Sequence, residues 1–244
     1  MDLLALDSST DLLTVAVRHG DQVWAADELT GSAASQRILP LVRQLLAEAG
    51  VAPGASPRAI VLGAGPGSFT GLRIACGVVQ GLALVWGARV VQVSSFEAIA
   101  AKARRVHGAR ASRVWVALDA RMGEVYLAGL QADGDQWRLL EAPAALSPAA
   151  AIERIRAQGA GFMGCGSGFT VYPELGQACA SCLSVIDGGL GVDARVLLLL
   201  GSRALAQGLD VDPAMVAPLY VRDKVALTIA ERRERSALAA GQGR

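Results

Sequence analysis

Gly65-Pro66-Gly67-Ser68-Phe69-Thr70-Gly71-Leu72-Arg73 is the segment whose residue types and spacing say most about chemistry. It follows the apolar run Ala59–Gly63 and opens an apolar helical stretch, which places its backbone N–H groups to bind an anion at a helix N-terminus. No Gly-Lys-Ser/Thr follows, so it is not a Walker loop, and Thr70 stands where a dinucleotide fingerprint needs its third glycine. The alternative is a tight strand-to-helix turn with Ser68 or Thr70 as N-cap. Cys179-Ala-Ser-Cys182 has redox or zinc spacing, but no second CxxC or His pair accompanies it; two small, partly buried side chains is the preferred reading. His19 in a hairpin turn and His107 beside Gly108 read as turn and helix-end residues. No nucleophile–His–acid set can be assembled from the sequence. The basic cluster Lys102, Arg104, Arg105, Arg110 and Arg113 could touch nucleic-acid phosphates, although a solvated helix end complementing the dipole is the commoner use of such a run.

The elements that must position these residues follow from periodicity. Leu3–Asp7, Leu12–Arg18 and Val23–Leu29 are short apolar or alternating runs separated by turn residues, which predicts an antiparallel meander. Ser35–Ala49 carries apolar residues at helical spacing and stops at Gly50, with Pro40 near its start or bending it. Strand Ala59–Gly63, helix Leu72–Trp86, strand Arg89–Val93 and helix Ser95–His107 come next. Then the pattern restarts: Val114–Leu118, Val125–Leu130 and Trp137–Leu140 form a second meander, followed by helical stretches at Pro148–Ala157 and Ala194–Gln207 and a short strand near Phe162–Met163. Ala5-Leu6-Asp7 recurs as Ala117-Leu118-Asp119, each time ending an apolar strand before a turn, which argues for duplication. The predicted fold is α/β, with two actin-like (RNase H-like) halves, each a mixed sheet beginning with an antiparallel meander and flanked by helices. The expected divisions are 1–105, a shorter 106–226 whose last helix packs back on the first half, and a disordered tail at 227–244. In that architecture hairpin turns from both halves face a nucleotide cleft, with Asp7 and Asp119 near phosphates and a metal-bound water. As plain hairpin residues the same acids would make Asx turns.

Composition limits the function classes. The chain has 244 residues, 52% hydrophobic and 18% charged, so it can bury a substantial core and is not disordered. Mean hydropathy is +0.39, and the apolar run Ile74–Ala88 spans roughly 22 Å as a helix against a hydrocarbon core of about 30 Å. It reads as a core helix, with no membrane expected. The N-terminus lacks a basic region and reaches Asp7 after a short apolar run, so no signal peptide is expected and the four cysteines point to a reducing cytoplasm. A net charge of +1 gives no strong overall pull on nucleic acid.

Gly65–Arg73, together with Asp7-Ser-Ser-Thr10, Gln36-Arg-Ile-Leu-Pro40, Leu118-Asp-Ala-Arg-Met-Gly-Glu-Val-Tyr126 and Pro218-Leu-Tyr-Val-Arg222, resembles the bacterial TsaB (YeaZ) family over roughly residues 2–226. The resemblance implies an actin-like pseudo-enzyme needed to make threonylcarbamoyladenosine beside the tRNA anticodon. It implies pairing with the catalytic paralogue TsaD, docking of the ATPase TsaE on that pair, a homodimer when the chain is alone, and tRNA contact only within the complex. Gly65, Pro66, Gly67, Ser68 and Thr70 are the signature loop. Asp7, Ser8, Ser9, Thr10 and Asp119 are the residues of a retained but poor cleft for ATP or ADP with magnesium. Relatives often carry His where this chain has Ala34, so any role of that His does not transfer. The paralogue holds a metal with His-x-x-x-His after the strand matching Val93, where this chain has Ser95 and Ile99; a hydroxyl and a hydrocarbon cannot replace two imidazoles. A free-standing actin-fold ATPase or small-molecule phosphotransferase is the other reading; the missing metal pair at Ser95 and Ile99 and the shortened second half favour the scaffold.

A helical wheel marks the surfaces for a partner. Arg73, Gly77, Gln80 and Leu84 form a stripe on the second helix, where Gly77-x-x-x-Gly81 lets another backbone approach. Arg37, Leu41, Gln44 and Glu48 form the matching stripe on the first, and Leu45 and Cys76 complete the expected contact set. The resemblance places the TsaD contact on these two helices, and a homodimer can use the same face.

Overall fold

A computed structural model describes residues 2–52 and 54–222. The expected tail at 227–244 therefore lies outside the described residues. The first sheet contains β1 (Leu3–Asp7), β2 (Leu12–His19), β3 (Gln22–Leu29), β4 (Ala59–Gly65) and β5 (Arg89–Ser94), in the order β3-β2-β1-β4-β5. β1 pairs antiparallel with β2 and parallel with β4, so the apolar Leu3–Leu6 lies at the sheet centre and is buried on both faces. Helices α1 (Ala34–Glu48), α2 (Phe69–Trp86) and α3 (Ser95–His107) complete this half.

The second sheet repeats the plan strand for strand. β6 (Arg113–Asp119), β7 (Val125–Asp133), β8 (Gln136–Leu146), β9 (Phe162–Cys165) and β10 (Leu183–Asp187) run in the order β10-β9-β6-β7-β8. Here β6 occupies the place of β1, antiparallel to β7 and parallel to β9. Helix α4 (Pro148–Ala157) matches α1, and α7 (Ala194–Ala206) matches α3. In place of α2 stand two short helices, α5 (Gly168–Val171) and α6 (Pro173–Ala178), which sequence periodicity does not reveal, since neither makes two turns. β10 is also unmarked in the sequence because Leu183-Ser-Val-Ile-Asp187 follows the cysteine pair without turn punctuation.

Alternation along the strands sorts side chains into three apolar layers. Leu4, Leu6 and Val15 pack outward on Ile38, Leu41 and Leu45 of α1 and on Ala75 and Val79 of α2. Trp115, Leu127 and Phe162 pack outward from the second sheet on Ile155 and Leu175. Between the sheets, Leu3, Val61 and Val91 meet Phe96 and Ile99 of α3 and Val196, Leu197 and Leu200 of α7, and these meet Val114, Val116 and Met163 of the second sheet. The duplicated helices α3 and α7 thus fill one shared core. Polar links reinforce it: Thr14 Oγ1 accepts from the Ala194 amide at 3.0 Å and donates to Asp27 at 2.6 Å, and Arg195 pairs with Asp27 at 3.0 Å.

Helix α2 is long and apolar enough to cross a membrane by length and composition. Its Ala75, Cys76, Val79 and Ala83 are buried against the first sheet and α1. Cys76, Leu41 and Leu45, expected on a partner surface, are therefore core residues. The apolar face of α1 is wide, and its edge turns inward to cover β2.

The shared core makes a sharp packing prediction. A methyl group at Gly201 of α7 would overlap the Val61 side chain of β4. Gly201→Ala should lower stability by roughly 1–3 kcal/mol through overpacking, despite the roughly 1 kcal/mol better helix propensity of Ala. Thermal unfolding should remain a single transition with a lower midpoint. A raised midpoint, or a split into two transitions, would show that α7 does not join the two sheets.

Candidate functional site

The C-terminal ends of β1 and β6 point their hairpin turns at a cavity of about 620 Å3 between the halves. Its wall includes Ser9 and Thr10 from the first turn, Pro66, Gly67, Ser68 and Thr70 from the signature loop, and Asp119 and Arg121 from the second turn. The signature loop is shaped by contact with the first turn. Ser68 N donates to Ser9 O at 2.6 Å, Ser8 Oγ donates to Gly71 O at 2.9 Å, and Ser68 Oγ caps α2 by accepting from Gly71 N at 3.3 Å. A side chain at Gly67 would overlap Ser9, and one at Gly71 would overlap the Ser8 carbonyl. These glycines are required by close backbone approach, whether or not an anion ever binds.

The second half uses the same device. Ser167, in the Gly166-Ser-Gly168 turn after β9, accepts from Asp119 N at 3.1 Å, and Gly166 and Gly168 abut Ala117. Asp119 Oδ1 accepts from Arg121 N at 2.9 Å and from the Tyr172 hydroxyl at 3.3 Å, while Oδ2 lies 3.4 Å from Arg121 Nε. Arg121 and Met122 adopt left-handed φ values of 61° and 57°, unfavourable for side-chain-bearing residues, at the rim of the cavity.

Asp7 has a different environment from Asp119. It is 1% exposed; Oδ1 accepts from Ser9 N at 3.0 Å and Ser9 Oγ at 2.8 Å, while Oδ2 is buried without a partner and lies where a Gly63 side chain would be. Burial pushes its pKa up to about 6, against the lowering effect of the Ser9 hydrogen bonds. Asp7 and Ser8 sit behind the cavity wall, and Asp119 is engaged by Arg121 and Tyr172. The two acids do not face each other as a free pair, so this arrangement does not fit a magnesium nucleotide held between them.

A wall that the sequence marked only as a motif is Pro218–Arg222. Leu219 N donates to Ala64 O at 2.7 Å, Arg73 Nε donates to Tyr220 Oη at 3.0 Å while stacking on Phe69, and Arg222 donates to Ala120 O at 3.3 Å and pairs with Glu124. This strap crosses from the first sheet to the second turn and closes one side of the cavity.

The remaining candidates fall elsewhere. Arg37, Gln44, Glu48, Arg73, Gly77 and Leu84 are exposed on α1 and α2; Arg37 pairs with Glu28, Gln44 bonds Glu48, and half-buried Gln80 donates to Val216 O. Leu84 and Val85 are 81% and 80% exposed, an apolar end to that face. Ser95 and Ile99 are 0% and 1% exposed, inside the shared core. Cys179 is buried at the C-terminal end of α6, and burial pushes its thiol pKa up, which disfavours a reactive thiolate. His19 pairs with Asp2 and His107 with Asp187, both at 2.9 Å. Among the described residues no group of three or more His, Cys, Asp or Glu could hold a metal ion.

The orphaned Asp7 oxygen has a measurable consequence. With a native pKa near 6 against 3.8 for the free group, the folded state holds the proton more tightly, so stability falls as pH rises from about 4 to 6 and stays lower above. That shift corresponds to about 3 kcal/mol at pH 7. Asp7→Asn keeps an oxygen for Ser9 and should raise the thermal midpoint at pH 7.5 by on the order of 5 °C, with little change at pH 4. An Asn variant less stable at pH 7.5 would contradict the burial account.

Comparison with known proteins agrees with this geometry. The family model described as TsaD, tRNA N6-adenosine threonylcarbamoyltransferase, matches residues 28–228. The Escherichia coli K12 protein named tRNA threonylcarbamoyladenosine biosynthesis protein TsaB is 36% identical over 93% of this chain and 96% of its own. Its Haemophilus influenzae namesake is 31% identical over 92% and 95%. A solved Pseudomonas aeruginosa structure described by similarity to the peptidase YeaZ superposes with a TM-score of 0.80 at 40% identity, covering 91% of this chain and 99% of that one. A second, titled YeaZ from the same organism, gives 0.77 at 38% identity, covering 90% and 100%. With its paired five-stranded sheets, its signature loop and its duplicated hairpin turns, the chain belongs to the TsaB (YeaZ) family of actin-like proteins of tRNA threonylcarbamoyladenosine biosynthesis.

Proposed function

We propose that the protein is a non-catalytic scaffold subunit for threonylcarbamoyl transfer to the adenosine beside the tRNA anticodon in the cytoplasm. It works by binding the catalytic paralogue TsaD and, through that pair, the ATPase TsaE. The observation that carries this reading is the pair Ser95 and Ile99, packed in the shared core where a catalytic relative would present two imidazoles. The sealed Asp7 supports it as well, since a carboxylate behind the wall cannot reach a bound phosphate.

The docking face proposed is the exposed side of α1 and α2: Arg37, Gln44 and Glu48 with Arg73, Gly77, Gln80 and Leu84. Among the described residues, a side chain at Gly77 or Gly81 would meet no atom within 4 Å, so these glycines leave room for a second chain to approach closely. In the absence of TsaD, a second copy can use the same face.

Two experiments test the proposal. Purified components should form threonylcarbamoyladenosine on tRNA only when this chain is added, and the chain alone should neither modify tRNA nor turn over ATP. ATP turnover by the isolated chain would favour the free-standing ATPase or phosphotransferase reading. Gly77→Leu should leave the thermal midpoint unchanged or slightly higher, because Leu improves helix propensity by somewhat under ~1 kcal/mol, while weakening TsaD binding at least about tenfold. A stable Gly77→Leu chain that binds TsaD as the wild type does would remove this face from the interface.

A further inference from the structure

The basic cluster at the end of α3 divides in two in the folded chain. Lys102 turns to Asp193 at 3.5 Å, and the Arg113 guanidinium lies over the Phe162 ring at 3.9 Å. Arg104, Arg105 and Arg110 are exposed, and among the described residues none of their guanidinium groups has an ion pair, hydrogen bond or ring contact. Asp187, the carboxylate that reaches this corner, is taken by His107. Many other arginines are neutralised locally, including Arg37 by Glu28, Arg89 by Asp210, Arg195 by Asp27 and Arg203 by Asp135.

Helix polarity accounts for only part of this cluster. Arg104 and Arg105 lie in the last turn of α3, where cations complement the dipole, but Arg110 lies beyond the cap, in the 3-10 turn Gly108–Ala111. The three arginines therefore come from two consecutive elements at one end of α3, beside exposed Val106. The corner is at the end of α3 remote from the cavity, about 20 Å along the helix axis. It is also on the opposite face of the first sheet from α1 and α2, so a partner docked on those helices leaves it open.

We propose that Arg104, Arg105 and Arg110 form a contact surface for an RNA phosphate backbone, engaged when the chain and its catalytic partner hold tRNA. This rests on the tRNA-modifying reading above. Unpaired guanidinium groups are suited to bidentate phosphate contacts, and a surface that reads only backbone needs no base-specific pocket.

The test measures the affinity of the chain–TsaD assembly for an unmodified tRNA transcript over a range of salt concentrations. Arg104→Gln/Arg105→Gln/Arg110→Gln should weaken binding about tenfold or more at 0.1 M salt and flatten the log–log salt slope by about two to three, as each lost phosphate contact removes roughly 0.7–0.9. The matching Lys triple variant keeps the charges and should restore the slope. Arg58→Gln/Arg89→Gln/Arg154→Gln removes the same charge elsewhere and should bind as the wild type does. Wild-type affinity and slope in the first variant, or an equal loss in the control, overturns the proposal. Whether modification needs the chain at all is read separately from product formation. An assembly that modifies tRNA equally well without this chain would sink the scaffold reading, while the affinity comparison would still decide the RNA surface.

Discussion

The packing of α3 and α7 between the two sheets is the interaction on which the rest of the structure depends. Two duplicated halves with separate cores could hinge, as an enzyme closing on substrate does. Here each half contributes one helix to a common layer, and that layer touches the inward faces of both sheets. Phe96 and Leu197 cannot leave one sheet without uncovering the other, so opening the halves would expose apolar surface at roughly 25 cal/mol per Å2. Gly201 against Val61 marks how close the approach is, and the Thr14–Asp27–Arg195 linkage fixes α7 along the first sheet. The same packing fills the start of α3. Ser95 and Ile99 are both buried there, and Ile99 belongs to the shared core.

The cavity between the hairpin turns follows from that frame. The first turn is held by the Gly67-Ser68 loop and the second by Gly166-Ser167-Gly168, so the glycines that look like a phosphate cradle are used to bring two backbones together. The strap Pro218–Arg222 then joins α2, β4 and the second turn around the same space. Arg73 and Gln80 each hold this C-terminal segment with one end while standing on the α2 face proposed for a partner. Through Arg73 and Tyr220, docking surface and cavity wall are joined by a hydrogen bond.

Much of the fold was legible in the sequence because it is strongly periodic. The restart at Ala117-Leu118-Asp119 announced the second sheet, and the long helices showed themselves by apolar spacing. The short α5 and α6 did not, since helices of one turn carry no period. The candidate site was less legible. Sequence equates Asp7 with Asp119, but one is sealed beneath Gly63 and the other is held by Arg121 and Tyr172, a difference created by neighbours distant in the chain. Leu41 looked like a stripe residue on a wheel, with Leu45 and Cys76 as contacts beside the stripes, and only the sheet beneath them shows which way they turn. Likewise the basic run reads as one cluster until Asp193 and Phe162 claim two of its members.

The central claim is that the two halves form one rigid platform through their shared middle layer. Native-state hydrogen exchange tests it most directly. Amides of α3 and α7, and of the central strands β1 and β6, should exchange only through global unfolding, with one common free energy and the same denaturant dependence. Adding magnesium ATP should leave that pattern unchanged. Exchange of one sheet through a partial opening that leaves the other protected, or closure on nucleotide that newly protects the hairpin turns, would contradict the account.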